Sequence, residues 1–158
     1  MAKIYKEHYN NTKLVNSLDA EGERPAFYIV CSRERGPGKS FSFSKMLFEN
    51  FLNNQEKFIL LTRRKKDLGS VADGMFEGYF QVENPEYSLR EVLQMGHTYS
   101  RIYADRTYGK EKSSVECGYV IPLSSVDDIK KISSMFYDAT AFYFDEFQPT
   151  DDRYLKDE

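Results

Sequence analysis

The chain is 158 residues long, 41% hydrophobic and 30% charged, which suits a single soluble globular domain. A formal net charge of −3 excludes a strongly basic nucleic-acid footprint spread over the whole surface. Two cysteines, Cys31 and Cys117, each in an apolar run, exclude a disulfide framework, and His8 and His97 stand too far apart to give a metal-site spacing.

The N-terminal stretch MAKIYKEHYNN lacks a signal-peptide core and no apolar run is long enough to span a bilayer, so a soluble protein of the cytoplasm is expected. Residues 1–24 read as a polar lead-in segment. Its tyrosines, Tyr5 and Tyr9, either pack on a sheet edge or stack on a nucleotide base. Glu21 to Pro25 turn the chain into a strand over 26–31, with Phe27, Tyr28, Ile29, Val30 and Cys31 as its apolar run. A loop over 32–38 follows, then a helix from Lys39 to about Asn53 with Phe43, Met46, Leu47, Phe48 and Phe51 on its apolar side.

Strand, glycine loop, Lys-Ser and helix is the order of a phosphate-binding P-loop (Walker A). The loop Arg35, Gly36, Pro37, Gly38, Lys39, Ser40 and Phe41 would cradle phosphates through its backbone N–H groups, Pro37 having none to give, at the positive end of the helix dipole. Lys39 would reach the β- and γ-phosphates, and the Ser40 hydroxyl would bind Mg²⁺. The pattern departs at Arg33, where the usual first glycine is missing.

Phe58 to Thr62 is a continuous apolar run, as expected of a parallel strand buried on both faces. It ends in Arg63, Arg64, Lys65 and Lys66, which are either a solvated turn or a contact for nucleotide or DNA phosphates. Leu68, Val71, Met75 and Phe76 fit a helix interrupted by glycines. Tyr87 to Met95 fits a second helix, with Ser88 and Glu91 spaced as a capping box and Gly96 as its end. Thr98 to Ala104 alternates like a strand. A charged turn around Gly109 leads to an antiparallel partner, Val115 to Leu123, with Cys117, Tyr119, Ile121 and Leu123 on one face. Residues 124–137 read as a helix carrying Val126, Ile129, Ile132 and Phe136.

Ala141 to Phe144 is an apolar strand ending in Asp145 and Glu146, the Walker B pattern. Asp145 would hold the Mg²⁺ bound by Ser40, and Glu146 would orient and deprotonate the water that attacks the γ-phosphate. Paired with the P-loop, this makes an ATP and Mg²⁺ site the expectation. The fold class that follows is α/β: a P-loop NTPase of the ASCE (additional catalytic glutamate) type, three-layer α/β/α with a mostly parallel central sheet.

With both motifs in view, residues 25–158 resemble the DNA-packaging ATPase of small short-tailed phages, a relative of the terminase large subunit. The segments that carry the resemblance are Arg35-Gly36-Pro37-Gly38-Lys39-Ser40, the strand FILLTRRKKDL, and GYVIPLSSVDDIKKISSMFYDATAFYFDEFQ with its trailing RYLKDE. The resemblance implies a viral DNA-packaging motor: a homo-oligomeric ring on a procapsid portal in the host cytoplasm, translocating double-stranded DNA, with packaging RNA in some relatives. It implies Arg35 beside the γ-phosphate, and with Lys39 and Glu146 it completes the catalytic set. It also implies that residues 25–158 are an ATPase domain that is C-terminally incomplete, the family's coupling strand, arginine finger and nuclease-like domain being absent. Two other readings stay open: a truncated P-loop module that binds ATP without turning it over, and a small-molecule P-loop kinase. The kinase reading wants an arginine-rich lid after Asp145 and Glu146, which this sequence lacks.

Overall fold

The structure is a computed structural model that describes Gly22 and residues 38–144. The expected strand at 26–31, the lead-in apart from Gly22, and the tail after Phe144 lie outside the described residues. In chain order the elements are α1 (Lys39–Asn54), β1 (Lys57–Thr62), α2 (Val71–Glu83), β2 (Tyr87–Gln94), β3 (Tyr99–Tyr108), β4 (Glu111–Pro122), α3 (Val126–Lys130) and β5 (Ala139–Phe144). Short 3-10 turns stand at Lys65–Asp67, Leu123–Ser125 and Ser133–Phe136.

The strands form one sheet in the order β2-β3-β4-β1-β5. Strand β1 runs parallel to β4 on one side and to β5 on the other. The pairs β2-β3 and β3-β4 are antiparallel. This corrects the expected three-layer α/β/α P-loop fold with a mostly parallel sheet: the sheet is mixed, and three of the five strands among the described residues form an antiparallel meander. Loop length is the physical reason. A parallel crossover needs about a dozen residues, and the links between Gln94 and Tyr99 and between Tyr108 and Glu111 are far too short for one. Helix cover is also unequal. Helices α1 and α2 pack on one face, whereas among the described residues the other carries only the five-residue α3 and 3-10 turns.

Tyr87 to Gln94, expected as a helix, is instead the edge strand β2, paired with β3 along its length. Its sequence fits both periods, and Leu89 is buried by the alternating one. Glu91 does cap a helix start, but a different helix. Its carboxylate accepts the Gly69 and Ala72 backbone N–H groups at 2.7 and 2.8 Å, at the start of α2. The expected helix at 124–137 is broken into α3 and two 3-10 turns, in keeping with serine pairs that compete for backbone hydrogen bonds. Ile129, Ile132 and Phe136 still face the sheet.

The larger core lies under α1 and α2 and is mainly aromatic. Phe48 is fully buried among the rings of Phe51, Phe76, Tyr79, Phe80 and Tyr87, at centroid distances of 4.8 to 6.3 Å. Burial, with Glu49 and Glu83 nearby, pushes the Tyr79 hydroxyl up to about 12. The second core joins Ile59, Tyr99, Tyr119, Ile121 and Phe136 on the opposite face. Cys117 belongs to the first core, not with Tyr119 and Ile121 as its spacing suggests. Ile102 pairs with Gly118 and Tyr103 with Glu116, so Cys117 is an extra residue that reverses the alternation. Its thiol is pushed up by burial.

A charged cluster ties the strands together near the start of β1. Lys57 Nζ lies 2.6 Å from Glu116 and 2.7 Å from Asp138, and Arg101 donates to Glu116 at 2.8 Å. The Tyr119 hydroxyl reaches Glu116 and Asp138, both at 3.1 Å. Burial works against every charge here. The hydrogen bonds outweigh it, so Lys57 is raised, and Glu116 and Asp138 are held below the usual carboxylate range.

Candidate functional site

Helix α1 begins where the sequence places it. Gly38 is its N-cap, in the left-handed region at φ 80°, a conformation that costs glycine nothing. Ser42 N–H donates back to the Gly38 carbonyl at 2.9 Å and closes the first turn. Among the described residues no side chain caps this end, which carries the positive end of the helix dipole.

A cleft of about 500 Å³ opens at the carboxyl ends of β1 and β5. Ser40 lines it from α1, Thr62 and Arg63 from β1 and its exit, and Tyr143 and Phe144 from β5. Arg64, Lys66 and Asp67 line it from the 3-10 turn and its approach. Lys65 is absent from the lining and lies 4.0 Å from Asp128 in α3. The run 63–66 is therefore split, with three cations at the cleft and one turned aside. Thr62 Oγ1 donates to Asp67 at 3.2 Å, which fixes a carboxylate among those cations. The 3-10 turn holds this arrangement through Asp67 N–H to Arg64 at 3.1 Å and Leu68 N–H to Lys65 at 3.2 Å.

Of the residues singled out from the motifs, Gly38, Lys39, Ser40 and Phe41 are described, and Ser40 reaches the cleft. Lys39 is the first residue of α1, half-buried, and makes no ion pair among the described residues. The Phe41 ring packs edge-on against Tyr79 at 5.7 Å, so only its backbone could serve a phosphate. Arg35, Gly36, Pro37, Asp145 and Glu146 lie outside the described residues, as do Arg33, Tyr5 and Tyr9. Phe144, the residue before Asp145, is itself part of the cleft wall. The motifs did not point to Thr62 or Asp67. The available signal was slight: a single hydroxyl ending an apolar run, and a single acid after four cations.

The volume falls in the range of small-molecule sites, and Arg63, Arg64, Lys66 and Ser40 are among the residues that line it. Among the described residues no group of three or more His, Cys, Asp or Glu could hold a metal ion, and no helix is long and apolar enough to cross a membrane.

Among known proteins, no family model and no curated sequence matches the chain. A similar solved structure is the N-terminal domain of the DNA packaging ATPase from bacteriophage phi29. It is 24% identical with a TM-score of 0.49, over 76% of this chain and 53% of that one. The chain thus spans about half the length of that structure.

Proposed function

We propose that this chain is the ATP-binding and ATP-hydrolysing part of a motor that packages double-stranded viral DNA. One observation carries the nucleotide half of this reading: the start of α1, through Ser40, shares a cleft with Arg63, Arg64 and Lys66 and with the end of the strand that leads into Asp145. The packaging half rests on the sequence resemblance of residues 25–158.

In this reading Lys39 and the first N–H groups of α1 bind and orient the triphosphate. Arg63, Arg64 and Lys66 offset its charge, and Thr62 keeps Asp67 from closing on them. Ser40 and Asp145 would hold Mg²⁺, which supplies further charge neutralisation when bound. Glu146 takes the proton from the attacking water, and Arg35 stabilises the charge that develops on the transferred phosphoryl group.

Calorimetric titration with ATP and Mg²⁺, with phosphate release measured in parallel, tests the assignment. Lys39→Ala is expected to weaken ATP binding by about ten- to a hundredfold, the worth of a hydrogen bond to a charged group. Glu146→Gln is expected to keep ATP binding and lose phosphate release. A wild-type chain that binds no ATP at millimolar concentration would remove the nucleotide reading altogether.

A further inference from the structure

We propose that the β3–β4 hairpin is a grip for duplex DNA, at the end of the sheet opposite the nucleotide cleft. Strand β4 pairs with β1 only from Gly118 onward, and β2 pairs with β3 no further than Arg106. Residues 108–112 therefore project past both neighbouring strands as a two-stranded ribbon. Every residue from Arg106 to Val115 is exposed. The cleft lies at the carboxyl end of β1, so ribbon and cleft occupy opposite edges of the sheet.

The ribbon carries Arg106, Lys110 and Lys112 against one carboxylate, Glu111, on a chain whose net charge is −3. The nearby Asp105 is already neutralised by Arg90, at 2.9 Å, which also pulls its carboxyl below the usual range. Lys110 and Lys112 make no ion pair among the described residues. Arg106 is held differently. Its guanidinium sits 5.5 Å from the Tyr87 ring centre and 5.8 Å from that of Tyr108. Two rings fix its position, yet it makes no hydrogen bond among the described residues, so its in-plane N–H donors remain available. A planar fork set against two rings, with exposed ammonium groups at Lys110 and Lys112, matches a row of phosphates.

The shape selects among polyanions. A two-stranded ribbon fits the major groove of B-form DNA, whereas the major groove of A-form RNA is too narrow for protein elements. Single-strand binders present successive free rings for bases to stack on. Here Arg106 already lies against Tyr87 and Tyr108, so these two rings do not form a row free for successive bases.

This inference deepens the packaging reading, and its test keeps the two separable. Binding of the whole chain to a fluorescent 20-base-pair duplex is measured by anisotropy from 50 to 200 mM salt without nucleotide, and ATP binding is measured on the same samples. The triple variant Arg106→Ala/Lys110→Ala/Lys112→Ala is expected to bind duplex at least about tenfold more weakly, with a salt slope shallower by about 3, and to keep ATP binding. Lys110→Arg/Lys112→Arg, which preserves charge, is expected to bind duplex as the wild type does. A circular-dichroism melt confirms that each variant is folded. The proposal is overturned if the wild type does not bind duplex at 50 mM salt, if the folded triple variant binds unchanged, or if single strands or RNA are preferred. It is likewise overturned if the substitutions abolish only self-association of the chain, measured by sedimentation, while DNA binding persists. Loss of ATP binding in the wild type with duplex binding intact would sink the nucleotide reading and leave the grip standing.

Discussion

Single residues set the close contacts on which the sheet depends. Gly118 sits opposite Phe58 in the parallel β1-β4 ladder, and a Cβ there would stand 2.3 Å from the Phe58 carbonyl oxygen and 3.2 Å from its ring. The first of these contacts is with backbone, so no rotamer change relieves it, and the strands themselves must part. Gly118→Ala is expected to cost about 3 kcal/mol, the upper end of overpacking penalties, and to lower the melting temperature by about 6 to 12 °C in a scanning calorimeter. A melting temperature within 2 °C of wild type, on the order of the effect of a surface change, would show that the β1-β4 contact is looser than described.

Between elements, the most consequential contact is Glu91. From the edge strand β2 it supplies the N-terminal cap that Ser70 does not, through Gly69 and Ala72. Cleft residues flank this cap, with Lys66 and Asp67 before it and Val71 and Gly74 within α2. Glu91→Ala is expected to cost about 1 to 2 kcal/mol, the usual worth of a helix cap. It should also speed amide exchange in residues 65–72 ahead of the rest of the sheet, which hydrogen-exchange mass spectrometry would resolve. A uniform increase across all strands would mean that Glu91 acts on global stability alone. This contact was not legible in the sequence. The Ser88–Glu91 spacing has a local meaning on a helix, and the partners it actually serves are 19 and 22 residues away. By contrast, α1 and β1 were legible. Gly38 and the run Asn53 to Gln55 bracket α1, and Phe58 to Leu61 has no polar position that would allow a solvent-facing side.

At the scale of the molecule, the cluster of Lys57, Arg101, Glu116, Tyr119 and Asp138 joins β1, β3, β4 and the approach to β5. The native pKa values of Glu116 and Asp138 lie below those of an unfolded chain, about 3.9 to 4.3. Their stabilisation is therefore fully present above about pH 5 and is lost as pH falls through the depressed native values. Lys57 is raised, so its share persists until pH exceeds its unfolded value, near 10.4, and fades beyond it. Denaturant melts from pH 7 to pH 3 are expected to show stability falling below pH 5, and Lys57→Met to flatten that dependence while costing about 2 kcal/mol at pH 7, less than for a fully buried pair. An unchanged slope in that variant would place the acid sensitivity elsewhere. The mixed topology itself was only partly readable. The Gly109 turn announced the β3–β4 hairpin, but nothing in the local pattern of YSLREVLQM revealed that it would extend the hairpin into a meander. At the site, Ser40 was marked by its motif, whereas Asp67 gains its place from a 3-10 turn that leaves no periodic trace.

The unequal connections within the sheet also bear on how the chain acquires its shape. The meander β2-β3-β4 closes through short links, so its pairings need little loop entropy and can form early. Strand β5 must come back across α3 and its flanking turns to pair with β1, its one partner among the described residues. The ribbon that bears Arg106 is thus built from local contacts, while the cleft wall formed by Tyr143 and Phe144, which depends on a distant pairing, is expected to assemble later. By the same reasoning it is among the first to open when the native state fluctuates.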